Sequence, residues 1–338
     1  MPELLADHTT LHVGGPAAEF VVATTEAELV DAVREADDAG RPVLVLGGGS
    51  NVLVSDAGFD GRVVAVRTRG VSADADACGG AVVRVAAGEP WDDLVARAVD
   101  EGWVGVEALS GIPGLVGATP IQNVGAYGQE VSETIASVRC WDRQAGAVRT
   151  LFNRDCRFGY RTSRFKQEPG RWVVLEVVFQ LRLGDLGAPV RYAELAGRLG
   201  LEPGGRAALG DVRAAVLELR QGKGMVLDED DHDTWSAGSF FTNPVLAAGS
   251  VPDGAPAWPQ PDDTVKTSAA WLIEHAGFGR GHGNARAALS GKHTLALTNR
   301  GGASAEDLLD LAREVRDGVR EEFGIELVNE PVLVGCHL

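Results

Sequence analysis

The chain has 338 residues, room for two or three domains, and its 45% hydrophobic and 23% charged content is that of an ordinary folded protein. Its net charge of -17 speaks against the basic face that a nucleic-acid footprint needs, although a local arginine and lysine cluster can still hold a small anion. No run of about 18 apolar residues marks a membrane span. Met1–His8 lacks the basic and apolar pattern of a secretion signal, and Cys78, Cys140, Cys156 and Cys336 have no CxxC spacing. A cytoplasmic protein with reduced thiols is expected, with Cys156 packed rather than nucleophilic.

Helix and strand signals alternate at first. Thr25 and Glu28 form a capping-box signature ahead of Leu29, Val30, Val33 and Ala36, and Gly40 closes that helix. Pro42–Leu46 predicts a strand, Gly47-Gly48-Gly49-Ser50-Asn51 a sharp turn, and Val52–Val54 renewed extension. Val63–Val66 and Ala81–Val85 predict strands, and Trp91–Val99 a helix. Glycine and proline punctuate Gly111–Gly128, which predicts a loop with short helical turns beside a ligand. Val138–Trp141 and Ala147–Leu151 predict hairpin arms joined through Gly146, and Trp172–Leu181 is the clearest strand pattern of the middle region.

The helical run Val212–Leu217 precedes a boundary ahead of Gly238. Thr267–Ala276 and Ala305–Phe323 predict helices, the second with Leu308, Leu309, Leu311, Ala312, Val315 and Val319 on one stripe. Glu326–Val328 and Val332–Val334 predict strand segments around Glu330. Val251–Asp263, with four prolines and three aspartates, predicts a surface connection.

The turn Gly47–Asn51 lacks GxGxxG order, yet its successive amides can cradle a pyrophosphate, with Ser50 and Asn51 adding hydrogen bonds. Alone, it is equally a structural turn. Gly111–Gly128 adds a small-residue surface that a flat ring can approach, with Gln122 and Asn123 as polar groups and Tyr127 as a packing ring. Arg161 in Gly159–Ser163, Ser239 in Ala237–Pro244 and Glu330 in Leu327–Pro331 supply a guanidinium, a hydroxyl and a carboxylate. Such a trio can hold an anion, deliver a proton and polarise a neighbouring group. Taken singly, each is an ion pair, a cap or a turn residue. His232 and His282 lie in no ligand pattern, so no metal site is expected.

Several strings occur in register: Leu11-His12-Val13-Gly14-Gly15-Pro16-Ala17, Gly47–Asn51, Ile112-Pro113-Gly114, Pro120–Gly128, Cys156–Arg161 and the Gly238-Ser239-Phe240-Phe241 frame. On these, nearly the whole chain resembles the UDP-N-acetylenolpyruvoylglucosamine reductase family, flavoenzymes of bacterial cell-wall precursor synthesis. The resemblance implies an α+β architecture. A two-lobed FAD-binding fold of the vanillyl-alcohol-oxidase-like type is expected over residues 1–219, and an α+β substrate-binding domain over 220–325. A closing strand segment, 326–338, is expected to return Glu330 to the active site.

The resemblance further implies FAD held by Gly47, Gly48, Gly49, Ser50, Asn51, Ile112, Pro113, Gly114, Thr119, Pro120, Gln122, Asn123, Gly125, Ala126 and Tyr127. NADPH is implied as the hydride-donating cosubstrate, and UDP-N-acetylglucosamine enolpyruvate as the substrate reduced to UDP-N-acetylmuramate. Arg161, Ser239 and Glu330 match the family's catalytic residues; Ser236 is a nearby hydroxyl, but the frame favours Ser239. Tyr160, Arg161, Tyr192, Lys223 and Asn243 match substrate contacts. The stretch around Tyr192 corresponds to the family form with an additional substrate-covering loop. After Lys223 the chain departs from the family's leucine-proline-aspartate-proline, reading Gly224-Met225-Val226-Leu227-Asp228. Another flavin-dependent oxidoreductase of the same superfamily and a non-catalytic flavin or sugar-nucleotide binder are the alternatives. No obligatory protein partner is inferred.

Overall fold

The computed structural model describes residues 2–338, which fall into two compact units that are not contiguous in sequence. The larger unit holds residues 18–48 and 60–222; the smaller holds the residues up to Ala17, Gly49–Phe59 and Lys223–Leu338. Two short N-terminal pieces therefore fold with the C-terminal part of the chain. The described α-helices are Glu26–Asp38 (α1), Trp91–Asp100 (α2), Arg164–Gln167 (α3), Ala193–Arg198 (α4), Leu209–Gly222 (α5), Ala269–His275 (α6) and Ala305–Phe323 (α7).

In the larger unit a three-stranded sheet runs in the order Ala17–Ala23, Phe59–Val66, Val43–Leu46, the last two strands parallel. The capping box forms: Thr25 accepts the Glu28 N–H and the Glu28 carboxylate accepts the Thr25 N–H. Behind it, Leu29, Ala32, Val33 and Ala36 bury the apolar stripe of α1. A second, antiparallel sheet is ordered Ala147–Phe152, Ile135–Asp142, Trp172–Leu183, Gly80–Ala86, Val71–Asp76.

Trp172–Leu183 occupies the middle of that sheet because Val173, Val174, Leu175, Val177, Phe179 and Leu181 are all buried. Full burial of each such large side chain stabilises by roughly 1.5–3 kcal/mol. Arg139 pairs with Glu26 and Arg143 with Asp37, tying α1 to the Ile135–Asp142 strand and its turn.

The smaller unit has its own core. Leu308, Leu309, Leu311, Ala312, Val315 and Val319 of α7 pack with Leu272 and Ile273 of α6, the strands Ala287–Leu289 and Leu297–Asn299, and Leu11, Val13, Leu53, Phe240 and Phe241. Ser304 starts α7 by accepting the Asp307 N–H at 3.1 Å. Val52–Val54 pairs in parallel with Val332–Val334.

Three local expectations need correction. Helix α6 starts at Ala269, because Thr267 ends the strand Thr264–Thr267 and Ser268 is the cap. Val251–Asp263 is more than a connection: Ala257–Pro259 is an edge strand of the sheet ordered Val245–Ala247, Thr264–Thr267, Ala257–Pro259, and an edge tolerates its proline. Glu326–Val328 forms no strand. Val328 O accepts the Thr242 N–H, and the next residue, Asn329, makes one isolated bridge with Phe241, so the pairing stops short of a ladder.

Gly318 lies inside α7, and a Cβ added there would sit 2.5 Å from two ring carbons of Phe278. Glycine to alanine in a helix interior ordinarily gains about 0.5–1 kcal/mol, but overpacking costs roughly 1–3 kcal/mol and wins here. Gly318→Ala should lower the thermal unfolding midpoint, and Phe278→Leu in the same chain should recover part of the loss. A raised midpoint in the single variant would contradict this packing.

Candidate active site

Two glycine turns meet in the larger unit. A Cβ built on Gly48 would lie 2.8 Å from the Gly114 Cα, so the two turns touch backbone to backbone. Gly47 faces Leu115 and Ala118, and Gly117 presses on Ala87, where a Cβ would approach to 2.5 Å. The start of α2 seats this loop: the Trp91 N–H donates to Gly114 O at 3.0 Å and its indole N–H to Leu109 O at 3.0 Å. The Val116 and Gly117 N–H groups donate to Glu89 O and Ala87 O. Arg67 donates from Nη1 to Gly47 O at 3.1 Å, placing a cation behind the first turn. Bare backbone with no projecting side chain, backed by a guanidinium, suits a pyrophosphate-bearing ligand such as FAD.

Further along the loop, Ile112 packs against the core of the unit, and Pro113 leads into the Gly114 contact. The Thr119 hydroxyl donates to Val116 O at 2.8 Å; Pro120 and the half-buried Gln122 continue the turn. Asn123, at φ 48° and buried, uses its side chain structurally. Its Nδ2 donates to Glu130 Oε2 at 2.7 Å and Gly159 O at 3.1 Å, and its Oδ1 accepts the Ser132 N–H. Gly125 and Ala126 pair with Gln129 and Glu130.

Arg161 sits on the turn closed by Gly159 and Thr162, at φ 51°. Its Nη2 donates to Gly125 O at 2.7 Å, and its guanidinium lies 5.8 Å from the Tyr160 ring centre. Loop and arginine are thus held together. The Tyr127 and Tyr192 rings meet edge to face with centres 5.7 Å apart, and burial pushes the Tyr127 hydroxyl up to about 12. Sequence reasoning passed over Arg220 at the end of α5. It is buried, and burial lowers its guanidinium to about 10, with the charges of Tyr127, Asp92 and Arg161 also acting on it. The one available signal was its place among the apolar positions of α5.

The smaller unit brings Ser239 and Glu330 onto neighbouring segments. Gly238, at φ 71°, turns the chain into Ser239. Buried Phe240 then donates its N–H to Leu295 O at 2.7 Å, and its own carbonyl accepts the Glu330 N–H at 2.8 Å. The Thr242 N–H donates to Val328 O at 3.0 Å. Gly49 belongs to this unit too, and a Cβ there would run into His8 O at 1.9 Å. Ser50 follows it, and Asn51 reaches Glu330 O from Nδ2 at 3.4 Å while its carbonyl accepts the Val332 N–H. Asn243 Oδ1 accepts the Ala269 N–H at 3.0 Å and so helps start α6. Lys223 directly follows α5. Arg161 belongs to the larger unit and Ser239 and Glu330 to the smaller.

The family model for an FAD binding domain matches residues 17–151, and the model described as the UDP-N-acetylenolpyruvoylglucosamine reductase C-terminal domain matches residues 230–334. The protein is an FAD-dependent oxidoreductase with an FAD-binding domain. A UDP-N-acetylenolpyruvoylglucosamine reductase of Cutibacterium acnes is 62% identical over 335 residues, covering 98% of this chain and 89% of the relative. The enzyme of that name from Streptomyces coelicolor is 56% identical over 348 residues, covering 99% and 90%. The crystal structure of the reductase (MurB) from Thermus caldophilus superposes with a TM-score of 0.67 at 28% identity, covering 99% of this chain and 98% of that one. The chain belongs to the UDP-N-acetylenolpyruvoylglucosamine reductase family.

Other reactive side chains have local roles. The His12 and His232 rings pack on Trp235 with centres 4.1 and 4.3 Å away, and His282 lies 2.9 Å from Glu314. Among the described residues, no group of three or more His, Cys, Asp or Glu can hold a metal ion, and no helix is long and apolar enough to cross a membrane. Burial pushes the Cys156 thiol up to about 12 and raises Cys140 as well. Their reactive thiolates are therefore scarce at mildly alkaline pH, whereas Cys78 is exposed. Brief alkylation of the folded protein should label Cys78 and spare Cys140 and Cys156 in peptide mass mapping. Rapid labelling of Cys156 would contradict its packed environment.

Proposed function

We propose that the protein reduces UDP-N-acetylglucosamine enolpyruvate to UDP-N-acetylmuramate at the expense of NADPH, in cytoplasmic peptidoglycan precursor synthesis. The observation that carries this reading is the pairing of Ser239 with Glu330, held on adjoining segments by the Glu330 N–H to Phe240 O bond. FAD, when bound, would supply the two-electron hydride chemistry that links NADPH to the enolpyruvyl double bond. One hydride and one proton then convert the alkene to a lactyl ether.

Ser239 gives that proton, to the carbon bearing the ether oxygen. A serine hydroxyl is a weak acid, so transfer depends on a confined geometry and on charge developing at the receiving carbon. The turn fixed by Gly238 and by the anchored Phe240 supplies such a geometry. Arg161 holds the enolpyruvyl carboxylate with its planar fork and stabilises negative charge spreading into it. Its bond to Gly125 O fixes the direction of that fork. Glu330 polarises the same carboxylate through a shared proton, a role its backbone anchor supports. Tyr160, Tyr192, Lys223 and Asn243 contact the rest of the sugar nucleotide, with half-exposed Tyr192 covering it. The larger unit holds FAD through Gly47, Gly48 and the Gly111–Gly128 loop.

Stopped-flow kinetics separate the two half-reactions. Ser239→Ala should leave flavin reduction by NADPH within about twofold and slow reoxidation by the enolpyruvyl sugar nucleotide by roughly 10²–10⁴-fold. Equal loss in both halves, or none in the second, overturns the role given to Ser239. Arg161→Gln should slow the substrate half-reaction by about 10²–10³-fold while FAD stays bound; an unaffected rate removes its electrostatic role.

A further inference from the structure

The Gly111–Gly128 loop is gripped at its start by a side chain that also reaches α5. Asp92, in the first turn of α2, accepts the Gly111 N–H on Oδ1 at 2.6 Å. The same carboxylate takes both ends of the Arg213 fork, Nη1 on Oδ1 at 2.7 Å and Nη2 on Oδ2 at 2.8 Å. One carboxylate thus joins three elements of the larger unit: helix α2, the loop, and helix α5. The bonds that Trp91 makes to Leu109 and Gly114 also seat the loop on α2, but they do not reach α5.

Helix α5 meets the far end of the loop as well. Arg220 lies seven residues beyond Arg213, two helical turns or roughly 10 Å along the same face. Tyr127, near the loop's end, packs against the cluster containing Val212, Ala215 and Val216 of α5, and buried Arg220 interacts electrostatically with Tyr127 and Arg161. Helix α5 therefore spans the loop like a bar, pinned at Gly111 through Arg213 and Asp92 and touching it again at Tyr127.

We propose that Asp92 is a positioning residue for flavin binding, which through Arg213 sets the Gly111–Gly128 loop against α5. This rests on the reading of that loop as a flavin contact. Geometry singles out a carboxylate here, since its two oxygens accept three N–H donors. Burial alone would raise the Asp92 carboxyl, but the bonds from Arg213 and Gly111 more than offset it and hold it below the ordinary carboxylate range. An asparagine keeps the shape yet turns an N–H₂ group toward a donor, losing a bond and the ion pair together.

The test is FAD retention by the holoenzyme, measured by equilibrium dialysis, alongside the unfolding midpoint of the flavin-free protein. Asp92→Asn and Arg213→Gln should each weaken FAD binding by roughly 10–100-fold. The double variant should be no weaker than the worse single one, as expected of residues acting as one unit. FAD binding within twofold of the parent in Asp92→Asn, with only the midpoint lowered, assigns the clasp a purely structural role and overturns the proposal. Should that variant fail to fold, Arg213→Gln keeps the Asp92–Gly111 bond and is judged by the same two outcomes. Gly48→Val, which drives a side chain into Gly114, separates the levels. If it retains FAD, the flavin reading of the loop fails; if it loses FAD while Asp92→Asn does not, only the role of Asp92 fails.

Discussion

Close backbone contact between Gly48 and Gly114 is the constraint on which the larger unit's site depends. Any side chain at residue 48 would enter the space taken by the second turn. The remaining interactions serve that approach. Trp91 seats the second turn on α2, Arg67 braces the first, and Asn123 fastens the far end of the loop to the Gly159 turn that carries Arg161. The result is a stretch of polypeptide with polar groups and little bulk, as a phosphate-bearing ring cofactor needs. Precision here comes from side-chain hydrogen bonds to backbone carbonyls, together with left-handed backbone at Asn123 and Arg161.

The smaller unit uses a different device. Ser239 and Glu330 are distant in sequence, and no regular ladder joins them. A few backbone bonds between Phe240–Thr242 and Val328–Glu330 do the joining, and Phe240 and Phe241, both fully buried, keep those bonds from fraying. Buried apolar rings beside the Ser239 hydroxyl also restrict water, which strengthens any charge interaction there. Ser239 and Glu330 are thus carried on short, well-anchored segments, while helix α7 and the Ala287–Leu289 and Leu297–Asn299 pair supply bulk stability.

Much of this was legible in the sequence, for physical reasons that differ by element. The capping box at Thr25 and Glu28, the apolar stripe of α7 and the β pattern from Trp172 are local signals, written within a few turns or one strand. The motif strings around Arg161, Ser239 and Glu330 led directly to the family. Long-range partnership was not legible: nothing in Leu11–Ala17 or Val52–Val54 announces that these residues join the C-terminal unit. Nor does residue type reveal what the backbone has already claimed. Asn123, Asn51 and Asn243 read as ligand contacts, yet each has side-chain atoms committed to holding neighbouring chain. Arg220 was missed because a cation near a helix end ordinarily faces water.

The parallel pairing of Val52–Val54 with Val332–Val334 has a consequence for how the protein is made. The earlier strand leaves the ribosome about 280 residues ahead of its partner, an interval on the order of tens of seconds at ordinary translation speeds. Throughout that time Leu53, destined for complete burial, has no mate. Residues 60–222 emerge in between and are free to condense first. The smaller unit is therefore the last to mature, and nascent chains at that stage are the ones most exposed to chaperones and proteases.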